Sequence, residues 1–235
     1  MKTPRFSCPQ EIAPLVVSYL KRLERKGVRS LYLDTDKPPT KSASSAMDVA
    51  ERTVEERLSE IEKRVSTCTK CALHQGRTKT VFGKGSPRTK VMFIGEGPGR
   101  DEDLKGEPFV GRSGQLLTKI IEAIDLKRED VYITNIVKCR PPQNRDPLEE
   151  EVRCCEAYLT EQIDLIKPRL ICALGRIAAQ WLLNNKEPLA SLRSSENFYR
   201  GIPVLVTYHP AALLRNPELK RETWEDFKKL KFLIT

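Results

Sequence analysis

Residues 131–147 read VYITNIVKCRPPQNRDP, and the fold turns on this stretch. Val131–Val137 is apolar except at Thr134 and Asn135 and rich in β-branched side chains. It is the right length for a strand and too short for a buried helix. Asp146-Pro147 then reads as a helix start, an N-cap residue followed by proline at the first helical position. Glu149, Glu150 and Glu151 fall in the first turn, where the helix dipole favours negative charge. The stretch therefore predicts a buried strand that leaves through a proline-rich loop and enters a helix.

Three more short apolar runs repeat the pattern. They are Val91–Ile94 (VMFI), Leu170–Leu174 (LICAL) and Val204–Thr207 (VLVT). Helical segments lie between them at Gly114–Ile124, Leu148–Ile166 and Ile177–Leu183, with a last one at Arg221–Leu230. Apolar runs alternating with helices imply an α/β fold, a parallel sheet covered on both faces. On the N-terminal side, Met47–Val65 is charged and helical in pattern, with Val54, Leu58, Ile61 and Val65 in register. Residues 1–46 are expected to form an extension: an amphipathic helix within Glu11–Leu33, then a linker rich in Pro, Ser, Thr and Lys at Asp34–Ala46. Residues 47–235 are expected to form the main domain.

The chain has 235 residues and a formal net charge of +9, which favours a polyanionic partner such as nucleic acid. Met1–Gln10 has no apolar signal-peptide core, and no run approaches the length of a membrane span. An intracellular, reducing compartment is expected, so closely spaced cysteines read as metal ligands before disulfides. There are seven cysteines. Cys68-Thr-Lys-Cys71 is a C-x-x-C pair without the second C-x-x-C of a zinc ribbon. Cys139 follows the second strand, and Cys154 and Cys155 are adjacent in the helix after it. At about 100° per residue, Val152, Cys155, Leu159 and Ile166 fall within about 40° of Leu148, whereas Cys154 points about 120° away. Cys155 thus faces inward, and Cys68, Cys71, Cys139 and Cys155 make a set of four thiols. That is the ligand count of an iron–sulfur cluster, with zinc as the alternative. Cys172, inside LICAL, reads as a core residue.

Ligands of parallel α/β sheets bind beyond the carboxyl ends of the strands. The first strand runs into Gly95-Glu96-Gly97-Pro98-Gly99, with Glu102 close behind; the second carries Asn135; the fourth ends in Tyr208-His209-Pro210. GEGPG is neither a dinucleotide fingerprint nor a Walker A loop, because Pro98 interrupts the former and no Gly-Lys-Ser/Thr follows for the latter. The Asn135 amide offers a donor and an acceptor, which suits reading a base edge. Phe109, in a glycine-rich loop, suits base stacking.

These residues resemble a known family. GEGPGRDED, KGEPFVGRSGQLL, VYITNIVKCRPPQNRDP and YHPAALLRNP, in that order and with the four-cysteine spacing, are similar to the family 4 (iron–sulfur) uracil-DNA glycosylases. The resemblance covers roughly residues 65–230. It implies a three-layer α/β/α fold with a central four-stranded parallel sheet. It also implies hydrolysis of the N-glycosidic bond of uracil in DNA, and a [4Fe–4S] cluster on Cys68, Cys71, Cys139 and Cys155. Gly97 stands where family 1 enzymes carry a water-activating Asp, which leaves Glu96 or Glu102 to handle water. Glu96 also departs from the apolar GLAPA-like motif of family 5. No KRRIH-like loop follows the second strand, so covalent trapping on uracil DNA is not expected.

The resemblance further implies that a flipped uracil meets Asn135 at its edge, Phe109 on its face and main chain at Gly97. His209 would stabilise the leaving group, with Asn144 orienting water. Arg112, Lys138, Arg140 and Arg215 are expected to touch phosphates, and Leu213 and Leu214 to wedge into the duplex. The partner is uracil-containing DNA, the enzyme is expected to act as a monomer, and the N-terminal extension offers room for a protein partner.

Overall fold

The computed structural model describes residues 52–235. The expected helix within Glu11–Leu33, the linker at Asp34–Ala46 and Cys8 lie outside the described residues. In chain order the elements are α1 (Val54–Ser66), β1 (Lys84–Gly85), β2 (Val91–Gly95), α2 (Arg100–Lys105), α3 (Arg112–Glu122), β3 (Tyr132–Asn135) and α4 (Glu149–Ile166). There follow β4 (Leu170–Leu174), α5 (Arg176–Leu183), α6 (Leu189–Ser194), β5 (Asn197–Tyr199), β6 (Ile202–Thr207), α7 (Pro210–Arg215) and α8 (Leu219–Ile234).

One sheet runs in the order β1-β3-β2-β4-β6-β5. The four central strands are parallel, as the apolar runs predict. Two short antiparallel edge strands extend them to six. Sequence reading missed both edges because each is too short, at two and three residues, to show a strand pattern. β1 has two residues, and β5 is fixed by its turn: Arg200 and Gly201 take φ of +49° and +88°, the left-handed pair that a two-residue hairpin requires.

Strand alternation sorts the core into two layers. Met92, Ile94, Tyr132 and Ile136 face α1 and α4, where Leu58, Ile61, Val65, Val152, Leu159 and Ile163 meet them. Val91, Phe93 and Ile133 face the other way, onto Leu117, Ile121, Phe227 and Leu230 of α3 and α8. Phe93 stacks on Phe227 with ring centroids 5.9 Å apart. Burial on both faces is why the strands read as unbroken apolar runs.

Two helix boundaries differ from expectation. α1 begins only at Val54, because Thr53 accepts a hydrogen bond from the Glu56 N–H while Glu56 accepts one from the Thr53 N–H, a capping box. α4 begins at Glu149, with Leu148 as N-cap and its N–H bonded to the Glu151 carboxylate at 2.7 Å. Asp146 is therefore no cap; it pairs with Arg176 instead, at 2.8 Å. Leu148 drops off the inward stripe and is 49% exposed, while Val152, Cys155, Leu159 and Ile166 stay buried.

Candidate active site

The carboxyl ends of the parallel strands open into one cleft. Glu96, Gly97, Gly99, Glu102, Phe109, Ser113, Asn135, Asn144, Arg145, Asp146, Gly175, Arg176, Tyr208, His209 and Arg215 are among the residues lining it. Asn135, the last residue of β3, is 1% exposed. Its Oδ1 is buried and has no hydrogen-bond partner, alone among buried side-chain atoms of the described residues. Burying such an acceptor without a partner costs about 1 to 3 kcal/mol, so it points to a missing donor.

Gly95 lies beside Asn135 in register. A Cβ there would sit 2.5 Å from Asn135 Oδ1 and 2.6 Å from Phe109 Cζ, so only glycine lets both side chains crowd the strand end. Phe109 takes φ of +51°, a strained conformation for a side chain that large. Arg128 holds it there by donating to the carbonyl of Pro108 at 2.6 Å. The Phe109 and His209 rings lie 5.5 Å apart at 35°.

The two candidate carboxylates differ in kind. Glu102 is buried and accepts three backbone N–H bonds, from Gly99 at 3.1 Å, Val110 at 2.8 Å and Gly111 at 2.9 Å. Its charge is spent bracing the Phe109 loop against the GEGPG turn, which argues against the water-handling role. Glu96 is half-buried, and its carboxylate makes no hydrogen bond within the described residues. Burial, reinforced by Asp146 and opposed by Arg176, pushes its pKa up to about 7.

His209 caps α7 by accepting the Ala211 N–H on Nδ1 at 3.1 Å. Burial, with Arg215 adding to it, pulls its pKa down to about 4. The ring is therefore neutral near pH 7, and with Nδ1 accepting, the proton sits on Nε2. Gly175, at φ of +92°, passes behind it; a Cβ there would meet His209 Cβ at 2.8 Å.

At the rim, Arg140 Nε donates to Asn144 Oδ1 at 2.8 Å, and Arg145 grips the buried Glu151 at 2.6 and 2.9 Å. Arg112, Arg215 and Leu214 are exposed. Two expected DNA contacts are corrected. Lys138 is 1% exposed, and its Nζ donates to Thr134 Oγ1, Asn135 O and Gln162 Oε1 at 2.6, 2.8 and 2.6 Å. Its Nζ is enclosed by these three internal acceptors, so it meets no phosphate. Leu213 is also 1% exposed, in the core beneath α7, which leaves Leu214 as the outward leucine. Sequence reading missed the Asp146–Arg176 and Arg145–Glu151 pairs, because nothing local joins their members.

A second cavity lies behind the sheet. It is lined by Cys68, Cys71, Cys139 and Cys155, together with Cys154, Arg77, His74, Lys138 and Tyr158. Cys139 and Cys155 are buried, and Cys154 turns aside, its Sγ toward the carbonyl of Lys70 at 3.3 Å. Four thiols lining one cavity are the ligand count of an iron–sulfur cluster or of a structural zinc. Arg77 donates to Cys139 Sγ at 3.3 Å, and the Lys138 N–H lies 3.4 Å from Cys155 Sγ, the kind of donor that supports a thiolate ligand. Burial raises the metal-free thiols of Cys71, Cys139 and Cys155, the last to about 11, so a bound metal must displace their protons. Cys172 is fully buried in β4, a core residue as expected.

Comparison with known proteins supplies the rest. Residues 82–228 match the family described as the uracil DNA glycosylase superfamily. A type-4 uracil-DNA glycosylase of Archaeoglobus fulgidus is 46% identical over 183 residues, 74% of this chain and 92% of the relative. The type-4 uracil-DNA glycosylase of Saccharolobus solfataricus is 48% identical over 181 residues, covering 73% and 83%. That of Sulfurisphaera tokodaii is 45% identical over 185 residues, covering 75% and 84%.

Proposed function

The chain belongs to the uracil-DNA glycosylase superfamily, with the type-4 enzymes, and on that premise we propose that it flips uracil out of DNA and hydrolyses its N-glycosidic bond, leaving an abasic site for base excision repair. The observation that carries the reading is the buried, partnerless Oδ1 of Asn135 at the back of the cleft. Uracil presents an N3–H donor beside an O4 acceptor, and a side-chain amide answers both. Cytosine presents the reverse, an N3 acceptor beside an N4–H2 donor, and would leave the buried amide unpaired.

Phe109 stacks on the base and the main chain at Gly97 borders it. Cleavage leaves negative charge on the uracil O2 side and positive charge on the sugar. His209, neutral and with its proton on Nε2, donates to the anionic base; one such donor is worth about 3 to 4 kcal/mol. Glu96, poised near neutral pH and without another partner, takes the proton of the attacking water or steadies the cationic sugar. Asn144, its Oδ1 held by Arg140, keeps its N–H2 free to orient that water.

Cys68, Cys71, Cys139 and Cys155 would hold a [4Fe–4S] cluster, which ties the segment after α1 to the end of β3 and to α4 and takes no part in cutting the bond. Arg112, Arg140 and Arg215 contact phosphates around the cleft, and Leu214 fills the gap left by the flipped base. Action as a monomer is part of the proposal. Among the described residues no helix is long and apolar enough to cross a membrane. A DNA substrate puts the enzyme in the cell interior.

The test is direct. Iron-loaded protein incubated with a uracil-containing oligonucleotide and then treated with alkali should cut the strand at uracil; an uncut strand sinks the assignment. Asn135→Asp should lower the preference for uracil over cytosine, and unchanged selectivity removes Asn135 from the reading role.

A further inference from the structure

A lysine only 1% exposed needs a reason to be there. Lys138 sits between two residues with functions proposed above, Asn135 and Cys139, and touches the surroundings of both. Its side chain turns back along the chain to the carbonyl of Asn135. Its own N–H reaches Cys155 Sγ, and its carbonyl accepts the N–H of Val81 at 2.8 Å.

The Asn135 carbonyl needs such a donor. The N–H of Ile136 donates across to Gly95 on β2 at 3.0 Å, so the carbonyl of the same peptide unit points the opposite way, toward β1. β1 pairs only with Tyr132 and Ile133, and the sheet has run out by the level of Asn135. Water cannot replace the missing strand, because Thr134, Asn135 and Gln162 are all at most 1% exposed. Lys138 Nζ occupies that place. Nζ also lies 2.6 Å from both Thr134 Oγ1 and Gln162 Oε1 on α4. Gln162 Nε2 in turn donates to the carbonyl of Phe82 at 3.0 Å and to the Tyr132 hydroxyl at 3.1 Å.

We propose that Lys138 is a positioning residue for uracil recognition, its Nζ the group that substitutes for an absent edge strand and fixes the backbone of Asn135 to α4 and the cysteine-bearing segment. The inference rests on the reading of Asn135 given above. The cysteines and the Lys138 side chain lie on the α4 face of the sheet, and the Asn135 amide emerges on the other, beside Phe109. The connection between them therefore runs through the peptide unit of Asn135. A carbonyl released from Nζ lets that peptide rotate, and a shift of about 1 Å in a recognition group is enough to cost on the order of 10²-fold.

The experiment uses full-length, iron-loaded protein and free uracil as a competitive inhibitor. Lys138→Met, close in length and without donors, should keep its iron content and its absorbance near 400 nm. Its inhibition constant for uracil should rise on the order of tenfold or more, with KM for uracil DNA rising more than kcat falls. An iron-replete Lys138→Met with the inhibition constant of the parent overturns the proposal. Where Lys138→Met fails to load iron, Thr134→Val carries the test: it removes one of the three acceptors and leaves the lysine in place. A raised inhibition constant supports the proposal, and an unchanged one overturns it. Asn135→Asp run alongside separates the two readings. If it too leaves uracil inhibition unchanged, the role of Asn135 falls, and this inference with it.

Discussion

Two carboxylates six residues apart, Glu96 within the GEGPG turn and Glu102 just beyond it, do different work, and their hydrogen bonds tell them apart. Glu102 is saturated by three backbone N–H groups, and Glu96 by none. A general base acts deprotonated, so a carboxyl raised to about 7 should make the rate fall as pH drops through about 7. His209, at about 4, stays neutral from pH 5 to 8 and adds no limb there. In a pH–rate profile of kcat/KM, Glu96→Gln should remove that acidic limb and lower the rate by about 10²- to 10⁴-fold. Glu102→Gln should keep the limb and instead lower stability by about 3 kcal/mol in denaturant titration, because the Phe109 loop loses its charged acceptor. The sequence offered both carboxylates as candidates at or just after the GEGPG turn. It could not rank them, because the partners of Glu102 at Val110 and Gly111 are eight and nine residues away, on a loop whose path depends on the strained φ of Phe109.

Helix α4 shows how far periodicity alone reaches. Its inward stripe selected Cys155 over Cys154, and burial agrees, because 100° per residue holds along any straight helix whatever it packs on. Cys155→Ser should therefore lose iron and the absorbance near 400 nm, while Cys154→Ser keeps both; metal content per protein measures this. The same arithmetic failed at the end of the helix. Leu148 was counted on the stripe, yet α4 starts one residue later, because Glu151 reaches back to cap it and Asp146 is drawn away to Arg176 on α5. Caps depend on which partners stand nearby, and an ion pair spanning 30 residues leaves no local pattern.

At the scale of the molecule, the net charge of +9 sets the attraction to DNA and the fold decides which cations deliver it. Arg112 and Arg215 are exposed, whereas Lys138 is sealed behind the sheet. Arg112→Gln and Arg215→Gln should each reduce the slope of log K against log salt by about 0.9 on duplex or about 0.7 on single strands. Fluorescence anisotropy across a salt series reads this, and an unchanged slope for either variant removes that arginine from the interface.

The alternation of apolar runs with helices settled the parallel α/β core, and four ordered motifs with four spaced cysteines pointed to the family. Both are properties of adjacency along the chain: burial on two faces leaves unbroken apolar strands, and helical pitch sorts neighbouring side chains. The tertiary structure alone decided which polar groups are spent and which remain free. It buried Lys138 where an edge strand is missing, turned Leu213 inward, satisfied Glu102, and left the Oδ1 of Asn135 without a partner. Those outcomes depend on hydrogen bonds between residues distant in sequence, and a composition or a period carries no record of such partners.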